Sequence, residues 1–275
     1  MNFGYFHRWF TNFTVTQNRA VTPADYGPFS IVAPIDSRLP DGGGYTVGGL
    51  FDLNPDKVGQ VDNLVTFAEN LGGQRESFDA FDVSVNVRPR QRMVLQGGFS
   101  SGRATTDTCS IVSQLRNSVV VSSSIGTVQS VDMCHLQTPF LTQVKFLGTY
   151  GVPKIDVDIA ATYQSLPGPL IAANYVASNA QVQPSLGRPL SGGAANTTVN
   201  IVAPGTMYGE RANSLDLRFA KVFRFADLRT AINFDLYNVF NSSAVLSLNS
   251  AYARWQVPLG ILNARLFKIS GQLDF

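Results

Sequence analysis

A few side chains in this sequence have the chemistry to cut, cross-link or hold a metal. Gly98-Phe99-Ser100-Ser101-Gly102 satisfies the G-x-S-x-G pattern of a nucleophile elbow, in which a strained turn between a strand and a helix holds the serine exposed. Any general base for Ser100 must be His7 or His135, the two histidines of the chain. His135 gives the order Ser, Asp132, His, but Asp132 is too close in sequence to His135 to orient its ring. The segment after Gly102, Arg103-Ala104-Thr105-Thr106-Asp107, does not read as a helix. Ser100 is therefore read as part of a small-residue strand end, and no catalytic residue is assigned.

Cys109, Asp132, Cys134 and His135 are the one cluster of metal-ligating types worth testing. Two cysteines in one polar, Ser- and Val-rich stretch that faces an oxidising compartment tend to pair, so Cys109 and Cys134 are read as a disulfide and no metal is assigned. Gly42-Gly43-Gly44 and Gly192-Gly193 lack the strand-to-helix setting of a phosphate cradle and are read as loop flexibility. No cofactor is expected.

The elements that must carry these residues follow from composition and periodicity. The chain has 275 residues, 15% charged against 44% hydrophobic, with 24 Gly and 14 Pro. That balance excludes a disordered polyelectrolyte, a coiled coil and a collagen-like chain. Net charge is +2 and the basic residues are scattered singly, so nucleic acid is not an expected partner. No stretch reaches the roughly 18 to 20 apolar residues of a membrane-spanning helix. The start, Met1 to Arg8, lacks the features of a signal peptide, which predicts either a cytosolic chain or a precursor whose true start lies upstream.

Alternation with period two dominates, and it puts successive side chains on opposite faces of a strand. Phe81, Val83, Val85 and Val87 face one way; Asp82, Ser84, Asn86 and Arg88 face the other. The same pattern marks Met93 to Ser100, Gln143 to Tyr150, Ile155 to Gln164, Leu215 to Phe219, Ile232 to Tyr237 and Phe267 to Phe275. At the start, Phe3, Tyr5, Trp9, Phe13 and Val15 alternate with Asn2, Gly4, Arg8, Asn12 and Thr14, while Phe6 and Phe10 break the rule. Eight strands are expected.

Short and long connections alternate between them. Pro89 to Gln91, Gly151 to Lys154 and Arg224 to Leu228 are tight; Gln17 to Glu76, Thr105 to Thr138, Ser165 to Asn213 and Ser242 to Pro258 are long. Loops beyond about 12 to 15 residues are uncommon in compact domains. The asymmetry is that of an outer-membrane barrel, with tight periplasmic turns, long extracellular loops and a lipid-facing apolar band opposite a polar lumen. Aromatics near strand ends (Tyr5, Trp9, Tyr150, Tyr163, Phe223, Phe225, Phe267 and Phe275) suit an interfacial girdle. A soluble antiparallel sandwich is the alternative on alternation alone, because one of its faces also packs on a core.

Three runs at the C-terminal end, Leu215 to Phe225, Asn233 to Asn241 and Ala264 to Phe275, resemble the final strands of TonB-dependent outer-membrane receptors. Upstream, Ala20 to Tyr26, Asp36 to Pro40 with Gly42 to Gly44, Asn63 to Thr66 and Ala203 to Gly209 resemble the large receptors that carry an N-terminal carboxypeptidase-regulatory-like domain. The resemblance implies an all-β, antiparallel transmembrane barrel segment over residues 1–275, eight meandering strands of a 22-stranded barrel, without its plug and N-terminal domain. It implies an outer-membrane location, uptake of an unidentified small solute, and contact with TonB only through the missing N-terminal segments. It also implies that Phe275 marks the strand read by the barrel-assembly machinery. A small stand-alone barrel of eight strands, acting as an adhesin or surface-binding module, is the other expectation. The solute and its ligand-binding residues are not legible.

Overall fold

The computed structural model describes residues 1–116, 121–122, 125, 127–225 and 228–274. Its main element is a wall of eight antiparallel strands in simple meander order: β1 (Asn2–Phe10), β2 (Arg75–Val87), β3 (Met93–Asp107), β4 (Leu141–Val152), β5 (Val157–Leu166), β6 (Ala212–Phe225), β7 (Leu228–Tyr237) and β8 (Leu266–Asp274). The short strand His135–Gln137 adds to the far end of β3. The wall is open. Its first strand pairs with β2 alone and its last with β7 alone, so the sheet is not closed into a barrel.

Register carries the alternation across the whole wall. Met93, Tyr150, Ile159, Phe219, Phe234 and Ile269 stand side by side from β3 to β8, and Phe3, Val83, Phe99 and Val144 from β1 to β4. On the opposite face the neighbouring rows read Asp82, Ser100, Gln143 and Arg218, Asp235, Lys268. The apolar face is uncovered: Phe3 is 69% and Ile269 71% exposed, and among the described residues no second sheet packs on it. A sandwich would bury this face between two sheets, and this wall does not.

Tight turns join β2 to β3 and β4 to β5. Arg92, Lys154 and Asp156 take positive φ there, and the Gly151 amide donates to the Arg92 carbonyl at 2.8 Å, which ties the two turns together. Arg92 and Arg224 both reach the Asp156 carboxylate, at 3.6 and 3.2 Å. Residues 226–227 of the third turn lie outside the described residues.

Several boundaries differ from the periodicity reading: Ile155 lies in the turn before β5, and β3 runs on past Ser100 to Asp107. The first strand does not run on to Val15; Asn12 has φ 61°, β1 ends at Phe10, and Thr14–Asn18 pairs instead with Asn63–Phe67. The second strand begins at Arg75 rather than near Phe81, because Phe78 sits out of phase and hides the alternation there.

The larger difference is in the long connections, which are folded rather than loose. Three hairpins, Tyr26–Val32 with Thr46–Leu53, Asn174–Ser178 with Asn196–Asn200, and Val245–Leu248 with Pro258–Ile261, stand at the end of the wall away from the tight turns. They form a cap with its own apolar core. Ile31, Val47 and Leu50 come from the first long connection, Ile171, Val182, Val199 and Ile201 from the third, and Trp255 from the fourth. The helix Asn179–Leu186 in this core starts at a Ser178 capping box with Gln181 and stops at Gly187, φ 77°. The Arg188 guanidinium donates to the Asp52 carboxylate and to the Leu53 carbonyl, binding the first connection to the third.

A second core packs Val15, Ala68 and Leu71 against Ile111, Val112 and Leu115. The last three belong to the helix Cys109–Leu115 in the second connection, which the Cys109–Cys134 disulfide fastens, Cα atoms 4.8 Å apart.

Candidate functional site

The polar face of the wall is not uniformly wet. Near the cap its rows change character: Arg8 pairs with Phe78, and Phe6, Ala80, Gly102 and Leu141 form the next row. Small side chains here leave a hollow. A Cβ on Gly102 would come within 2.5 Å of the Phe78 ring and 3.0 Å of the Ala80 methyl, so the glycine is what lets that ring lie against the sheet.

The hollow is a cavity of about 640 Å³ between the wall and the cap. Ala80, Ser100, Gly102 and Ala104 make its floor; Phe10, Phe78 and Leu141 stand as its apolar sides; Pro167, Leu170 and Tyr208 close it from the cap. That size suits a drug-sized organic molecule, and an apolar lining with a few polar groups is the usual make-up of such sites. Its polar residues are Arg8, Ser100, Ser101, Thr138, Gln143 and Tyr208. Burial holds the Tyr208 phenol above its ordinary range, so it enters the site as a neutral O–H.

The roof is fixed from several sides. Leu170 and Tyr208 form a β-bridge, the Gly209 amide donates to the Pro169 carbonyl at 2.9 Å and the Ile171 amide to the Met207 carbonyl at 3.0 Å. Gly168 is required by this pairing, since a Cβ there would meet the Gly209 carbonyl oxygen at 2.1 Å. Arg211 then anchors the cap to the wall, its Nη2 donating to the carbonyls of Thr142 (2.7 Å) and Ser165 (3.1 Å). On the other side Thr138 exchanges hydrogen bonds with the Ala104 backbone, 3.0 Å each way. These ties hold the roof in place over the wall.

The residues singled out by type stand elsewhere. Ser100 lies mid-strand in β3 opposite Asp82 and Gln143, with the strand running on to Asp107, so the elbow geometry is absent. His135 Nδ1 is 3.4 Å from Asp107 Oδ2, seven residues along the strand from Ser100 and hence about 23 Å away at ~3.3 Å per residue. Cys109 and Cys134 are bonded to each other. Asp132 lies instead against Gly48 and Gly49 in the cap, and among the described residues no cluster of three or more His, Cys, Asp or Glu could hold a metal ion. Phe275 and the side chain of Phe225 lie outside the described residues.

Reading by motif missed Arg8, Leu170 and Tyr208. One signal did point to the site: Phe6 and Phe10 break the alternation of β1, as Phe78 does that of β2, and all three fall on the polar face. Phe10 and Phe78 do so as walls of the cavity.

No family model matches this chain, and neither a curated protein nor a solved structure does.

Proposed function

We propose that the chain is a wall segment of an outer-membrane β-barrel receptor of the TonB-dependent kind, which captures a small solute beneath its loops and passes it inward. The observation that carries this reading is the uncovered apolar face shared by all eight strands. Water leaves such a face without a partner, whereas the hydrocarbon of a bilayer supplies one and the strands satisfy their own backbone groups. Tyr5 and Trp9 toward the cap and Tyr150 and Phe223 toward the tight turns suit the two interfaces. The free edges of β1 and β8 favour a larger barrel to which further strands are added, because an exposed strand edge is a template for pairing. The TonB-dependent assignment itself leans on the sequence resemblance of β6 to β8, and coupling to TonB and the plug belong to other parts of such a receptor.

The test compares two arginine substitutions one residue apart, in protein folded into phosphatidylcholine vesicles. Val85→Arg, on the apolar face, is expected to cost about 2 to 4 kcal/mol, and Asn86→Arg, on the polar face, markedly less. The reverse order, or a monomeric chain that unfolds cooperatively in buffer without detergent, refutes the membrane reading.

A further inference from the structure

The cavity beneath the cap carries a statement about its ligand. Two of its apolar sides are aromatic, and both violate the polar character of their own face: Phe10 on β1 and Phe78 on β2. Phe10 remains 46% and Leu170 43% exposed, so the fold itself does not use them as core. Between Phe6 and Phe10, on the same face, stands Arg8. Among the described residues the Arg8 side chain makes no ion pair, hydrogen bond or ring contact, although most arginines in the cap and wall are engaged: Arg38 by Asp36, Arg188 by Asp52, Arg211 by Ser165 and Arg218 by Asp235. An uncommitted guanidinium at the mouth of an aromatic-sided hollow is a fork for a planar anion whose body is apolar.

We propose that this cavity binds an amphipathic carboxylic acid, its ring or chain lying against Phe10, Phe78 and Leu170 and its carboxylate paired with Arg8. The inference deepens the receptor reading and rests on it for the polar face being open to water. Gln143 and Ser100 stand in the row of Asp82, two rows along the same face from Arg8, and offer polar contacts to the end of the solute remote from its carboxylate. Phosphate esters and sulfates are a poorer fit, because among the described residues the hollow offers one free cation and no cluster of them. Neutral apolar solutes leave Arg8 unused.

The full chain is titrated by calorimetry with 2-naphthoate and with its neutral counterpart 2-naphthalenemethanol, each corrected by a titration into protein-free micelles. The acid is expected to bind at least about tenfold tighter than the alcohol, the margin of one charge-assisted hydrogen-bond pair. Arg8→Gln is expected to bring the two ligands to equal affinity, and Phe10→Ala to weaken both. No saturable binding of the acid, or a preference for it that survives Arg8→Gln, overturns the proposal. Vesicle insertion measured on the same preparations separates the two readings. A chain that inserts but does not bind the acid loses the ligand class alone, while one that binds the acid yet folds in plain buffer loses the membrane reading and keeps the pocket.

Discussion

Replacing Trp255 by alanine tests whether the cap is a cooperative unit with its own core rather than a set of loops resting on the wall. Trp255 is 3% exposed; its indole N–H donates to the Ala172 carbonyl at 3.0 Å, its ring stacks on Tyr252 at 5.8 Å, and the Arg38 guanidinium lies 5.2 Å from its centroid. An indole of this kind removes on the order of 150 to 250 Å² from water, which at ~25 cal/mol/Å² corresponds to about 4 to 6 kcal/mol. Relaxation around the void brings the usual cost of such a truncation to about 3 to 5 kcal/mol. Trp255→Phe keeps a ring against Tyr252 and gives up the hydrogen bond, so it is expected to cost about 1 to 2 kcal/mol, mostly through the orphaned carbonyl. The assay is hydrogen exchange read by mass spectrometry on the folded protein in detergent, peptide by peptide. In Trp255→Ala the amides of Tyr26–Val32, Thr46–Leu53 and Asn174–Ser178 should lose protection by that amount while those of β4 and β5 keep theirs, since opening of the cap is a local event. Equal losses in cap and wall, or no loss in the cap, refute the idea that Trp255 centres a separate core.

Three further outcomes are expected. Changing Cys109 and Cys134 to serine together should destabilise the exported protein by on the order of 3 kcal/mol, the chain-entropy value for a loop of 25 residues; a denaturation midpoint that does not move would contradict it. Hydrogen bonds from the Arg38 side chain and backbone, then from Tyr252, hold the Asp36 carboxyl well below the usual carboxylate range. A group depressed in the folded state stabilises above its unfolded value, near pH 4, and loses that contribution as pH falls through the folded value. Acid titration of Trp255 fluorescence should therefore show a transition on the acid side of pH 4 that Asp36→Asn removes, and an unchanged profile would count against the assignment. Deleting Phe275 should sharply lower the amount of barrel inserted in cells and leave refolding into detergent almost unchanged; equal losses in both would assign Phe275 to stability alone.

The eight wall strands and their faces were legible in the sequence because a strand's side-chain period is local: Val83, Val85 and Val87 share a face whatever their neighbours are, and the tight turns fix the order of the meander. Alternation also exposed its own exceptions, Phe6 and Phe10. What these exceptions build was decided only by tertiary structure. The cavity needs Phe10 from β1, Phe78 from β2, Leu141 from β4 and Leu170 with Tyr208 from the third connection in one place, and no local pattern encodes that meeting. The cap is the same case on a larger scale. Ile31, Val182 and Trp255 lie in three different long connections that read as loops, because each contributes a few apolar residues too few to bury anything alone. They become a core when the wall holds the connections side by side, and the burial they share is a property of the assembly that no single segment of the chain possesses.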